Sequence, residues 1–97
     1  MTTPAWQPWS DDPVARETGI SFDRTPAGPI HAPPGHFRVC AFHIDFDERP
    51  VCFVDVPTLE EAEAIRAALP QDSGGFNVDY GIVYAEDGTM HGTPPWA

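Results

Sequence analysis

Between Phe37 and Leu69 the apolar residues change from every second position to every third or fourth, which predicts a β-hairpin followed by a helix. Residues 37–46 and 50–56 form the alternating runs, with Asp47-Glu48-Arg49 at the bend. One register sets Cys40 opposite Val56 and Ile44 opposite Cys52. It places Cys40, Phe42, Ile44 and Phe46 on one face with Cys52, Val54 and Val56, because strand side chains alternate sides. That face is wholly apolar and requires a cover. The other face is mixed: Phe37, Val39, Ala41, His43 and Asp45 with Val51, Phe53 and Asp55. A slip of one residue would exchange the two sets, so the buried face is expected to set the register.

The helix is expected over residues 58–69. Thr58 and Glu61 make a capping box, in which the hydroxyl accepts from the first turn and the carboxylate answers the cap's own N–H. Glu60, Glu61 and Glu63 stand near the positive end of the helix dipole. Leu59, Ala62, Ile65 or Arg66, and Leu69 form one stripe, and Pro70 stops the helix because the residue before a proline is driven out of helical geometry. Such a helix spans about 18 Å, enough to cross three or four strands.

After a loop at 71–75, residues 76–85 alternate again and predict a third strand, with Val78, Tyr80, Ile82 and Tyr84 on one side. Glu86-Asp87-Gly88 reads as a turn and Thr89-Met90-His91 as a short fourth strand. The order ββαββ gives a two-layer α+β fold, an antiparallel sheet of three to four strands with one helix across one face. Residues 37–93 are then the core domain and residues 94–97 a tail. Residues 1–36 hold seven of the twelve prolines and show no sustained period, which marks an extended arm. Trp6, Trp9, Ile20, Phe22 and Ile30 are too apolar for a linker, so the arm is expected to pack partly on the mixed face, over Phe37, Val39 and Phe53. The alternative is a free arm whose tryptophans meet a partner. Ile20-Ser21-Phe22 is a candidate edge strand, and residues 12–17 a candidate helical turn.

A chain of 97 residues forms one domain. It has no apolar run long enough to cross a bilayer, and its first residues are not a basic-then-apolar leader, so the expectation is a soluble, cytoplasmic protein. In the register above the two cysteines, Cys40 and Cys52, lie about 13 Å apart along the ladder, too far for a disulfide. Both read as buried small hydrophobes in a reducing compartment.

Charge changes the picture more. Fifteen acids face five arginines and no lysine, for a net charge of −10. Residues 1–44 contribute −1 of this and residues 45–97 contribute −9. Such a surface repels phosphates and anionic lipid, so neither nucleic acid nor membrane is an expected partner, whereas a basic protein surface is. Without lysine there is no Walker lysine and no imine-forming amine, and no serine sits in a Gly-x-Ser-x-Gly elbow. Cys40-x-x-His43 has ligand-like spacing, but an interval of three on a strand sends the two side chains to opposite faces. Asp45, Asp47 and Glu48 lack the order of a calcium loop. No metal or other cofactor is expected. His43, Asp45 and Asp55 share the mixed face and are the one candidate acid–base group, without any sign of a pocket.

The acids themselves remain as candidates for binding: Asp45, Asp47 and Glu48 at the bend, Asp55 on the second strand, Glu60, Glu61 and Glu63 on the helix, Asp79 on the third strand, and Glu86 and Asp87 at the last turn. Carboxylates two apart on a strand are held about 6.6 Å from each other, a spacing comparable to that of backbone phosphates. No family motif is matched. In size, charge and missing chemistry the chain resembles small acidic proteins of phages and mobile elements, some of which inhibit nucleic-acid-binding machinery such as CRISPR effectors. The expected function is a non-enzymatic, anti-CRISPR-like inhibitor that mimics nucleic acid and occludes a basic surface of a nucleic-acid-binding protein, with Tyr80, Tyr84 or Trp96 as apolar anchors beside the acids. The alternative is a module that forms a homodimer through a strand edge or a sheet face.

Overall fold

The computed structural model of the chain describes residues 5–9, 26–45 and 48–91. It is an α+β arrangement with a sheet of five antiparallel strands: β1 (Gln7–Pro8), β2 (Phe37–Phe42), β3 (Cys52–Val56), β4 (Tyr80–Tyr84) and β5 (Met90–His91), in the spatial order β1-β3-β2-β4-β5. The one described helix, α1 (Leu59–Ala67), joins β3 to β4. The strand beyond the expected three to four comes from the arm. β1 pairs Gln7 with Phe53 and Pro8 with Cys52, and Trp9 N–H extends the pairing to Val51 O at 3.0 Å. An edge is where a strand tolerates a proline, whose missing N–H would break a ladder on an inner strand. The candidate elements at residues 12–17 and 20–22 and the tail at 94–97 lie outside the described residues.

β2 pairs with β3 through Phe37↔Val56, Arg38↔Asp55, Val39↔Val54, Cys40↔Phe53 and Ala41↔Cys52. This register corrects the expected one. Cys40 meets Phe53 instead of Val56, an odd displacement, so one strand's faces are exchanged relative to the other's. Val39 and Ala41 share a face with Cys52 and Val54, while Cys40 and Phe42 look the opposite way with Phe53. Two physical causes act together. β2 ends at Phe42, and the pairing with the second strand begins where Val51 N–H meets Ala41 O at 2.8 Å. Pro50, just before that point, has no N–H to offer a ladder. β2 is also the central strand, and Val39, Cys40, Ala41 and Phe42 are all buried. With both faces apolar, the alternation that would reveal parity is missing.

The helix forms where expected but is shorter, Leu59–Ala67 against residues 58–69. Only the hydroxyl half of the expected capping box is formed, with no bond from Thr58 N–H to the Glu61 carboxylate. Thr58 caps it in extended geometry (φ −129°, ψ 150°), and its Oγ1 accepts the N–H of Glu61 at 3.1 Å. Ala62 is fully buried, and Leu59, Ile65 and Leu69 pack beside it, which confirms the apolar stripe. The helix lies over β2 and β4 and comes close to the backbone at Gly81. A Cβ at that position would stand 2.6 Å from Leu69 Cδ1 and 3.3 Å from Arg66 Cγ. Beyond the helix, Ser73 Oγ donates to Phe76 O at 2.7 Å, and Trp6 of the arm donates from Nε1 to Asp72 O at 3.1 Å. Gly74, at φ 65°, leaves room for the Trp6 ring, since an added Cβ would meet Trp6 Cδ1 at 3.0 Å. The helix-side core thus comprises Trp6, Val39, Ala41, Cys52, Val54, Ala62, Val78 and Val83. Val78, expected beside Tyr80, is on the helix side because the regular strand begins only at Tyr80.

On the other face Cys40, Phe42, Tyr80, Ile82 and Tyr84 are covered by Ile30, with Trp9, Ala27 and Phe53 packed alongside. Phe42 stacks on Tyr80 (5.3 Å between centroids, 10° between planes), and Trp9 meets Phe53 edge-on at 5.7 Å. Ala32 N–H to Ala85 O at 3.1 Å ties this stretch of the arm to the end of β4. The arm covers Phe53 as expected, but Phe37 and Val39 belong to the helix side.

Two substitutions test this architecture. Gly81→Ala should destabilise by about 1–3 kcal/mol through overpacking, seen as a lower urea midpoint with an unchanged slope. Trp6→Ala should remove about 3–5 kcal/mol; an unchanged midpoint would mean that the arm is not part of the cooperative unit.

Candidate functional site

Strand order sends the acidic residues to the two ends of the sheet. Asp45 and Glu48 follow β2, and Asp79 precedes β4, at the end where Phe42 pairs with Tyr80. At the other end, β3 leads through Pro57 and Thr58 into the glutamates of α1, and β4 leads into Glu86 and Asp87. Asp47 lies outside the described residues. The acids therefore do not form one continuous face.

Asp55, Asp79, Glu86 and Asp87 are engaged inside the protein through their carboxylates. Asp55 takes a forked pair from Arg38, Nε to Oδ1 at 2.8 Å and Nη2 to Oδ2 at 3.0 Å, and the guanidinium lies 4.5 Å from the centre of the Phe53 ring. The Asp55 hydrogen bond holds the Arg38 guanidinium above its ordinary range, against the opposing effect of burial. Asp79 Oδ2 accepts the N–H of Ile44 at 2.8 Å, while its own N–H donates to Phe42 O at 2.7 Å. Glu86 Oε2 accepts the N–H of Gly35 at 2.7 Å and so fastens the arm to the β4–β5 turn. Asp87 Oδ1 accepts the N–H of Thr89 at 2.9 Å, which holds that carboxyl below the usual range. These carboxylates build turns and pairs, as polar groups near turns commonly do.

Glu60, Glu61 and Glu63 differ. All three are exposed, and among the described residues no hydrogen bond or ion pair engages their carboxylates. Glu60 and Glu63 are three apart on a helix, so their Cβ atoms stand about 5–6 Å from each other.

Two sets of expected residues are displaced. Tyr80 and Tyr84 are buried under the arm, and burial pushes the Tyr84 phenol up to about 12, so neither is a surface anchor. The alternation that exposed them in the sequence reading is that of a strand covered on both faces. The His43, Asp45 and Asp55 group is not assembled either. Asp55 pairs with Arg38 near one end of β2, and His43 follows the other end. The group that His43 does meet is Asp79, with Nδ1 and Oδ2 3.8 Å apart. Spacing along the chain gives no sign of this pair, which arises only because β2 and β4 lie side by side.

Cys40 and Cys52 are free thiols, both fully buried. They are separated by facing opposite sides of the sheet, not by the distance along the ladder expected above. Burial pushes both thiols up, Cys52 to about 12, so thiolate is scarce at neutral pH. Among the described residues no group of three histidine, cysteine or acidic side chains is placed to hold a metal ion, and no helix is long and apolar enough to cross a membrane.

Both thiols should resist an aromatic disulfide reagent at neutral pH in the native protein and react fully in denaturant. Rapid modification of either one in native buffer would contradict the burial described. No protein-family model, curated protein or solved structure matches the chain.

Proposed function

We propose that the protein is a non-enzymatic binding protein whose acidic surface occupies a basic surface on a protein partner, of the kind that grips nucleic acid. One observation carries this reading. Glu60, Glu61 and Glu63 stand exposed and unengaged at the start of a capped helix that packing on β2 and β4 holds in place. A helix so fixed presents its charges without further ordering, which lowers the entropic cost of association. The protein's charge of −10 steers a basic partner towards it.

The binding surface is narrower than the full acidic set. Asp55, Asp79, Glu86 and Asp87 hold the fold together, so they add to the field more than to direct contact. β1 and β5 are two residues each, and Pro8 offers no N–H, so these two edge strands themselves give a second copy little to pair with.

The test compares the tagged full chain with the triple variant Glu60→Gln, Glu61→Gln, Glu63→Gln, using the partner retained from the native host. The wild-type complex should dissociate with rising salt and be displaced by heparin. The variant, with its cap intact, should associate about 10-fold more slowly at low salt. Equal association by both proteins, or a complex indifferent to salt, would overturn the reading.

A further inference from the structure

The connection after β2 holds an arrangement that the binding reading does not use. Asp45 N–H donates to His43 Nδ1 at 3.1 Å. That bond requires Nδ1 to be without a proton, so the neutral ring carries its hydrogen on Nε2. The same Nδ1 lies 3.8 Å from Asp79 Oδ2, outside hydrogen-bond range but within reach of a small ring rotation. Asp79 is itself held at both ends, its N–H on Phe42 O at 2.7 Å and its Oδ2 on Ile44 N–H at 2.8 Å. The ring nitrogen is therefore set between a backbone donor and a carboxylate acceptor.

We propose that His43 is a proton-operated latch on the turn at residues 43–45, holding Asp45 N–H when neutral and turning to the Asp79 carboxylate when protonated. A proton on Nδ1 sets two N–H groups against each other, so the bond from Asp45 is lost. The new N–H gains the carboxylate, whose remaining lone pairs accept it beside Ile44 N–H. The proton comes from solvent, and no covalent bond other than N–H changes. Among the described residues, the charged groups on the elements around this end of the sheet are Asp79 before β4, Asp45, Glu48 and Arg49 along the connection itself, and Arg66 and Asp72 at and after the end of α1. Asp79 Oδ2 stands within reach of Nδ1 in the geometry described. The consequence is local. The first turn of the acidic connection moves while β2 and β4 stay paired.

The experiment is a heteronuclear NMR titration of the full chain from about pH 8 to about pH 5. Long-range proton–nitrogen spectra at the upper limit should show His43 with Nδ1 unprotonated. On acidification the Asp45 amide proton should move upfield with the same midpoint as the His43 ring protons, and the Ile44 amide should respond with it. In His43→Asn the side-chain oxygen replaces Nδ1 as acceptor without titrating, so the Asp45 amide should stay flat over this range. In Asp79→Asn the Asp45 amide should still move, but the Ile44 response should disappear. An Nδ1–H tautomer at pH 8 overturns the proposal. So does an Asp45 amide that does not move with the His43 ring protons, or that still titrates in His43→Asn.

Discussion

β2 is paired on both edges and buried on both faces over Val39–Phe42, and the helix and the arm are placed so as to cover it. Beyond half-buried Phe37 and Arg38 the strand leaves almost no surface to water, so the chain must supply a layer on each side. The helix supplies one. No second helix is described, and the arm supplies the other, with Ile30 over Cys40, Phe42 and Ile82. The arm also reaches round to the helix side through Trp6, whose indole N–H is tied to the loop that follows α1. What reads as a proline-rich appendage therefore completes both cores.

Helix and hairpin differ in how much of their structure the local sequence carries. The helix was legible because its signals are local: Thr58 with Glu61 at its start, Leu59, Ala62, Ile65 and Leu69 along one side, and Pro70 beyond its end. The hairpin register was not legible. Val39, Cys40, Ala41 and Phe42 are apolar in succession and all buried, so the run says that the strand is central but not which residues face the helix. The same ambiguity put Tyr80 and Tyr84 on the surface in prospect, although they lie beneath Ile30. β1 was hidden for a different cause. Gln7 and Pro8 have no strand preference of their own, and their pairing with β3 is a tertiary choice.

The candidate site was legible as charge but not as geometry. Composition alone shows an acidic protein that lacks lysine chemistry. Only the fold separates carboxylates that close turns, such as Asp79, Glu86 and Asp87, from those at the helix start that are turned to solvent without an engagement of their own. The pairing of His43 with Asp79 likewise depends on β2 and β4 being neighbours, a non-local fact that residue spacing does not carry.

The account rests on the parity of the β2–β3 ladder, because it decides which side chains the helix covers and which the arm covers. Cross-strand backbone NOEs measure that parity directly. They should link Arg38 with Asp55 and Cys40 with Phe53, as the described pairing requires. NOEs linking Cys40 with Val56 would return the strands to the other register and contradict the account.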